Sequence, residues 1–431
     1  MRVVLSGLQW MMFMIAGAIA APIAIADVYH LTPIETAELI QSTIIALGIA
    51  GFLQGIIGHK LPIHEGPAGL WWSIFTIYAS LVGVLYTSNI DALQALSGGM
   101  LISGVLFILL SAFKLMDKIA KLFTPTVTFI YLLLLILQLS GSFMKGMMGI
   151  TSSQPTLDVR VFLLSVLVVC MAFWLGNSRI KFLQRFSVMI SILIGWVLFA
   201  IVGNAPSIAQ ADTLVQLPKL FPFGIPQFDA GTITTACLLT LLLITNVIAS
   251  IRLMESVMSE KQPIDGRRYV RAGFTSGINQ CLSGILGAVG SVPISGAAGF
   301  VEQTGIRERR SFLIGCGLVI GLSLLPPIMN VIAAIPAPIG YAVTFVIFVK
   351  MVGLAFKELK KVMHEERTFI VSGISLLVGV GLMFVPPSAT MHLSPVMIAI
   401  FNNGLICGSV LAILLEQSLL WKERREAKLM H

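Results

Sequence analysis

Apolar stretches of about 20 residues recur along almost the whole of this 431-residue chain. Hydrophobic residues make up 57% of it and charged residues only 11%, which is more apolar surface than a water-soluble core can bury. A helix needs about 20 mainly apolar residues to cross a bilayer. We therefore predict an all-α polytopic membrane protein with 14 transmembrane segments, near residues 4–26, 38–57, 66–87, 96–113, 124–143, 160–177, 187–204, 231–254, 272–289, 291–306, 311–334, 339–356, 368–386 and 396–420.

The Lys and Arg residues fall almost entirely on one side of this predicted membrane. With the N-terminus inside, 24 of the 28 lie in inner pieces, Lys145, Arg160 and Lys219 lie outside, and Arg252 lies in or at the end of segment 8. Positive charge is retained in the cytoplasm during insertion, so we expect a multi-pass protein of the plasma (inner) membrane with both termini cytoplasmic. The net charge of +8 is then anchoring charge and gives no indication of a nucleic-acid partner. Residues 1–26 are interpreted as segment 1, because the apolar run exceeds that of a signal peptide.

Two predicted segments are interrupted by Pro and Gly at matching places in the two halves. Segment 3 begins at Pro62 and reaches Gly69, and segment 10 begins at Pro293 and reaches Gly299. The two prolines lie 231 residues apart, an offset that also carries segment 1 onto segment 8. Since segments 3 and 10 cross the membrane in opposite directions, the spacing predicts a 7+7 inverted repeat.

Such a pair of broken helices is the best sequence indication of a transport site. Pro and Gly leave backbone groups unpaired, which is tolerated within a membrane only against protein or a polar cavity. The half-helix N-termini that follow would direct positive dipole ends at a substrate. The alternative interpretation is two kinked helices whose small residues allow close packing.

Few ionisable groups lie inside the predicted segments, and they are candidates for function because they are costly there. Glu65 begins segment 3 beside His64, Glu255 lies three residues after Arg252, and Glu302 lies in segment 10. Glu255 could instead form a structural ion pair. Glu302 could instead be an interfacial residue that balances the charge of the basic cluster that follows it. The uncharged candidates include Gln9, Asn246, Ser250 and Ser295.

No pattern indicates an enzyme, a cofactor or a metal site. His59, His64 and Glu65 lack the second histidine of an HExxH metal motif. No nucleotide-binding or catalytic fingerprint occurs in its required strand–helix context, so concentrative transport would depend on an ion gradient.

Short motifs at the ends of segments 1, 3 and 10 resemble those of the nucleobase–ascorbate transporters, the uracil, xanthine and purine permeases, and the order of spans fits over essentially the whole chain. The family begins with a Gln-His pair and has a Pro twelve residues after the His. It enters segment 3 through Lys-x-Pro and then a Gly, enters segment 10 through Gly-Ser-x-Pro, and leaves it through Thr-Gly and a basic stretch. The matching residues are Gln9-Trp10 with Pro22, Lys60 with Pro62 and Gly66, Gly290-Ser291-Val292-Pro293, and Thr304-Gly305 with Arg307.

The resemblance implies a core domain and a gate domain, with short strands breaking segments 3 and 10. The core would comprise residues 1–123 and 231–335, and the gate residues 124–230 and 336–431. Substrate would lie between the two strands, beside segments 1 and 8, and proton symport would accompany movement of core against gate. The implied substrate-binding residues are Gln9, Trp10, Ala68, Gly69, Asn246, Ser250, Ser295 and Gly296.

The chain departs from the family pattern at three positions, which makes it a divergent member. The family's His is Trp10 here, and its segment 8 Glu aligns with Ser250. Segment 10 is about three residues shorter, so its acidic position is either Gly296 by counting back or Glu302 by motif. We therefore predict Glu255 or Glu302 as proton carrier, because burial favours the neutral carboxyl.

Taken together, these features predict a secondary active transporter, driven by the proton gradient, for a purine or pyrimidine nucleobase such as uracil or xanthine. Its partners would be the small-molecule base and the lipid bilayer, and a homodimer is left open. The first alternative is an inverted-repeat anion transporter of the sulfate-permease type. A channel or scaffold without turnover is the second, and a membrane-embedded enzyme is the third.

Overall fold

The fold is helical from end to end. The computed structural model describes residues 2–150, 155–211, 213–258 and 266–429; Lys261, one of the predicted cytoplasmic charges, lies outside them. The helices are α1 Arg2–Ala18, α2 Ala20–Val28, α3 Pro33–Ile56, α4 Gly69–Ser80, α5 Asn89–Ala112, α6 Met116–Ala120, α7 Pro125–Met147, α8 Val159–Gly176, α9 Lys181–Arg185, α10 Ser187–Ile201, α11 Ala230–Met258, α12 Gly266–Leu286, α13 Gly296–Thr304, α14 Arg309–Ser323, α15 Pro326–Ala333, α16 Ala337–Val362, α17 Glu366–Met383, α18 Pro395–Phe401 and α19 Gly404–Leu429. A 3₁₀ turn spans Pro387–Thr390, and the two strands are β1 Glu65–Pro67 and β2 Ser291–Pro293.

Local sequence accounts for several helix ends. Thr32 caps α3 in a reciprocal capping box with Glu35, ahead of Pro33 at the first helical position. Predicted segment 1 is divided into α1 and α2 at Ile19. Pro22 has no N–H to give to the carbonyl four residues earlier, so the helical ladder is interrupted at this point.

Nine helices within the described ranges are long and apolar enough to cross a membrane, with α1 and α2 counted as one. The number is ten if α14 and α15, bent by 86° at their junction, form a single span. The chain is therefore a helical polytopic membrane protein. Predicted segments 3, 7 and 10 contain helices shorter than a span, and α12 in segment 9 carries three arginines. The count of 14 segments stays a prediction, as does the inverted repeat.

The strands β1 and β2 pair antiparallel although they lie more than 200 residues apart in the chain. Glu65 pairs with Pro293, and Pro67 pairs with Ser291. Outside the strands, Ala68 N donates to Gly290 O at 2.8 Å and Ile294 N donates to His64 O at 3.0 Å. Bonded and non-bonded pairs alternate in an antiparallel ladder, so both prolines occupy non-bonded positions, where a missing N–H removes no ladder bond.

The helices pack in two groups. One group contains α1, α3, α5, α11, α12, α14 and α15, and the other contains α7, α8, α10, α16, α17 and α19. The groups meet where α2 packs against α16 and where α11 packs against α18. At the first of these contacts the Tyr341 hydroxyl lies 3.0 Å from the Asp27 carboxylate and 3.1 Å from Ala24 O, with its single hydrogen available to either. The predicted division at residues 123, 230 and 335 stays a prediction.

A test of this packing is available where Gly290 meets α4. A methyl group at Gly290 would lie 2.2 Å from Trp71 Cδ1, and that ring is buried. We expect Gly290→Ala to lower the free energy of unfolding by about 1–3 kcal/mol, because the ring and the strand have to separate. The midpoint of thermal unfolding in detergent measures this. Gly317→Ala on α14, where nothing lies within 4 Å, is the matched control. Equal stability of G290A and G317A would contradict the close approach.

Candidate functional site

Two half-helices begin immediately beyond the strand pair. β1 leads through Ala68 into α4, and β2 leads through Ser295 into α13. Neither residue provides a side-chain cap to the helix it precedes. The first N–H groups of a helix have no partner inside it, so the start of α4 presents donors and a positive dipole end. At the start of α13, Ala297 N and Ala298 N already donate to Ile294 O and Ser295 O, and the Gly296 N–H is the donor that this end presents. A small polar molecule with acceptor atoms fits such a pair of ends.

Small residues leave open space beside these helix ends. Gly296 is exposed, Ser295 is half-buried, and an added methyl at Gly299 would have nothing within 4 Å. A methyl at Gly69 would lie 3.6 Å from both Leu135 and Phe348, which belong to α7 and α16. The space therefore lies beside the ends of α4 and α13, and Gly69 borders the second helix group.

Ser250 fixes the outer edge of β2. Its hydroxyl lies 2.8 Å from Pro293 O and 3.2 Å from Asn246 Oδ1, with one hydrogen to donate, and the shorter distance favours the Pro293 carbonyl. That carbonyl sits at a non-bonded position of the ladder and would otherwise have no partner on β1. Ser250 is buried, whereas Asn246, one turn earlier on α11, is half-buried and retains its amide donors. Ser250 therefore has a positioning role, and Asn246 remains available to a ligand.

Gln280 on α12 holds the same outer edge of β2 two residues earlier, at Ser291, and was missed from the sequence. Its Nε2 donates to Ser291 O at 2.6 Å, and its Oε1 accepts from Trp71 Nε1 at 2.8 Å. One amide thus ties β2 to α4. An amide in the middle of predicted segment 9 was the available signal, because a buried amide requires partners.

Trp10 lies in an aromatic cluster instead of standing free. It is fully buried, with its ring centroid 4.4 Å from that of Phe300 and 5.2 Å from that of Phe312. Its indole nitrogen has no hydrogen-bond partner. Gln9 beside it is half-buried. The burial of Trp10 favours a packing role over stacking on a ligand.

The two predicted proton carriers lie in different surroundings. Glu255 accepts from Arg268 at 2.7 Å, the two groups forming an ion pair with under a fifth of each side chain exposed. Arg252, its predicted partner, lies over the Tyr269 ring instead, 5.9 Å from the centroid. Glu302 is exposed near the end of α13. Glu65 differs from both, since it is 2% exposed and neither carboxyl oxygen has a hydrogen-bond partner.

Comparison with known proteins identifies a family. Residues 1–388 match the family model for xanthine and uracil permeases, described as the Permease family. The Bacillus subtilis protein YwdJ, named provisionally as a purine permease, is 47% identical over 100% of this chain and 98% of its own length. The uric acid permease PucJ and the xanthine permease of the same organism are each 24% identical, over 97% and 95% of this chain and 93% and 92% of their own lengths.

Solved structures share the fold at much lower identity. The transmembrane domain of a cyanobacterial bicarbonate transporter, BicA, has a TM-score of 0.65 at 14% identity, covering 96% of this chain and 98% of that one. The murine anion transporter Slc26a9 in its inward-facing state has a TM-score of 0.66 at 10% identity, covering 98% of this chain and 68% of that one. At these identities the likeness concerns the fold alone.

The role of Ser250 can be tested by deleting its hydroxyl. We expect Ser250→Ala to lower the free energy of unfolding by about 1–3 kcal/mol, because the Pro293 carbonyl is left buried and unpaired. Thermal unfolding in detergent is the measurement. Ser256→Ala on the same helix, at an exposed position where the hydroxyl bonds only Leu253 O, should be near neutral. If both variants melt alike, Ser250 does not hold the strand.

Proposed function

Since this chain belongs to the nucleobase–ascorbate transporter family, we propose that it is a secondary transporter of purine bases, with an oxopurine such as xanthine or uric acid as substrate. Family membership confirms the resemblance found in the short motifs of segments 1, 3 and 10. The names of the relatives favour purines over uracil.

The observation that carries this proposal is that two half-helices without side-chain caps begin at the two ends of one antiparallel strand pair. An oxopurine is a flat ring whose edge alternates carbonyl acceptors and N–H donors. The N–H groups at the starts of α4 and α13 suit its carbonyls, and the Asn246 amide and the Ser295 hydroxyl can donate or accept. We assign Ala68, Gly69, Asn246, Ser295 and Gly296 to substrate contact.

The remaining predicted site residues take supporting roles in this proposal. Ser250 holds β2 through the Pro293 carbonyl. Trp10 packs against α13 and α14 through Phe300 and Phe312 and thereby sets the position of α1 beside the site. Gln9, which is half-buried on α1, is retained as a further polar contact.

Transport in this proposal is proton symport by movement of a core domain against a gate domain. The two helix groups support that division, and the contacts between them, which include α2–α16, α4–α7, α11–α18 and α11–α19, are where sliding would occur. We further propose 14 spans in a 7+7 inverted repeat, with both termini on the cytoplasmic side of the plasma membrane. The distribution of Lys and Arg supports that orientation.

Uptake measurements test the proposed substrate class. Wild-type protein in proteoliposomes with an inward proton gradient should accumulate labelled xanthine or uric acid, and a protonophore should abolish the accumulation. Uracil, sulfate and bicarbonate serve as comparison substrates in the same vesicles. Accumulation of an anion with no uptake of any base would instead establish the sulfate-permease alternative, which the fold likeness alone does not favour.

A space-filling variant tests the location of the site. We expect Gly299→Val to weaken base binding at least tenfold, about 1.4 kcal/mol or more, because the new side chain enters open space beside the helix end. Isothermal titration with xanthine or uric acid is the measurement. Gly317→Val, also in a helix and with nothing within 4 Å, controls for the loss of helix propensity. Binding equal to the wild type in G299V would place the site elsewhere.

A further inference from the structure

Glu65 stands out among the acidic residues in the described part of the chain because it is buried without compensation. It is the first residue of β1, is 2% exposed, and neither Oε1 nor Oε2 accepts a hydrogen bond. Buried carboxylates are normally paired with a cation or with several donors, since an isolated charge loses several kcal/mol of hydration. A side chain that remains unpaired in this way is stable only as the neutral carboxylic acid.

Glu65 is one of the residues that line a small cavity beside the strand pair. Its lining comes from α1, α3 and α14 and is otherwise apolar: Met14, Ile15, Ala18, Ile44, Leu47, Gly48 and Val319. The Ser291 hydroxyl lies on the same face of the strand pair as Glu65 and is a polar neighbour of its carboxyl group. On α14, Cys316 is the titratable group within electrostatic reach.

His64 does not neutralise Glu65, although it precedes it directly. A methyl at Gly66 would lie 2.6 Å from Ile294 and 3.9 Å from His64 Nε2, so His64 belongs with Gly66 on the opposite face of β1. The His64 ring instead packs edge-on against Phe13, with centroids 4.9 Å apart. Among the residues that the structure describes, the cavity lining includes neither Lys nor Arg.

We propose that the Glu65 carboxyl is the proton-binding group of this transporter, taking up one proton as substrate binds and releasing it when β1 is displaced. This inference rests on the proposed function, since it gives that transport its coupling site. It places the acid on β1, in a chain that has Ser250 at the aligned position of segment 8 and either Gly296 or Glu302 at that of segment 10. Glu65 thereby replaces the two predicted proton carriers: Glu255 is already ion-paired, and Glu302 is exposed.

The chemistry of the cavity favours a proton over a metal cation. A hard cation needs several oxygen ligands around it. Here the lining provides one carboxyl group among hydrocarbon side chains. A proton requires only one oxygen lone pair, and its binding converts a buried charge into a neutral acid.

The link to substrate runs through the strand itself. Glu65 pairs with Pro293, whose carbonyl is held by Ser250, and β1 continues within three residues to the start of α4. The ionised side chain is unstable in this cavity, so β1 keeps its place against β2 only while Glu65 is protonated. Because coupling is reciprocal, a substrate that requires the assembled strand pair also favours protonation.

The decisive variant is Glu65→Gln, which keeps the size and the neutral form of the side chain. In the wild type, the dissociation constant for the neutral form of xanthine, corrected for the ionised fraction of the base at each pH, should rise by up to about tenfold per pH unit in the alkaline range, the limit for one obligatory proton. In E65Q the same constant should change less than about twofold over that range. E65Q should still exchange base across proteoliposomes at equal concentration, yet should not accumulate it on a proton gradient.

Glu302→Gln and Glu255→Gln are the matched controls, and both should keep the pH dependence of the wild type. A pH-dependent E65Q, or a pH-independent E302Q or E255Q, would overturn the proposal. Uptake that follows a sodium gradient in place of a proton gradient would overturn it too.

A measurement without substrate separates this inference from the proposed function. The infrared spectrum of the resting wild-type protein should contain the carbonyl stretch of a protonated carboxylic acid at neutral pH, and that band should vanish in E65Q. If no base is transported but the band behaves in this way, the substrate class is wrong and the proton site stands. If bases are transported and the band is unchanged by E65Q, Glu65 does not hold the proton.

Discussion

A backbone that leaves the helical path inside a bilayer must find new hydrogen-bond partners, and in this protein β1 and β2 provide them for each other. The strands are only three residues long, and the ladder is extended at both ends by the bonds of Ala68 and Ile294. Side chains from α11 and α12 then satisfy the carbonyls of Pro293 and Ser291. Beyond the ladder each strand leads into a half-helix, α4 after β1 and α13 after β2.

Much of this arrangement follows from sequence pattern, since Pro and Gly have fixed backbone consequences. The interruptions that begin at Pro62 and Pro293 were found from the positions of Pro and Gly, and the structure has β1 within the first and the end of β2 at the start of the second. The division of predicted segment 1 follows equally from Pro22. The segment count is less certain from sequence, because α4, α10 and α13 are too short, and α12 too polar, to qualify as spans by length and composition.

The side-chain assignments were harder to predict, because they depend on which way each residue faces. Trp10 was expected to bind substrate, yet three phenylalanine rings pack against it. Gln280 was overlooked because an amide within an apolar stretch shows nothing of its partners. Glu65 was noted only as a neighbour of His64, and the strand register was needed to show that the two point to opposite faces. Alternation along a strand can be used only when the strand's bounds are known.

The likeness to BicA and Slc26a9 shows how little of the chemistry the fold decides. One backbone arrangement is common to proteins named for bicarbonate and anion transport and to this member of a nucleobase transporter family. What differs is a small set of side chains around the strands and the helix ends, so substrate and coupling ion have to be argued from those residues.

The strand pair also has a consequence for how the protein is made. Glu65 leaves the ribosome 228 residues before its partner Pro293, an interval of roughly 10–45 s at ordinary rates of synthesis. During that interval the N–H and C=O groups of β1 lack their hydrogen-bond partners on β2. The early segments therefore cannot reach a stable position in the lipid by themselves. The insertion machinery, or the nascent chain's own neighbouring helices, must shelter them until the second half arrives. Folding in the membrane is therefore completed late, when β2 in the second half of the chain pairs with β1 in the first half.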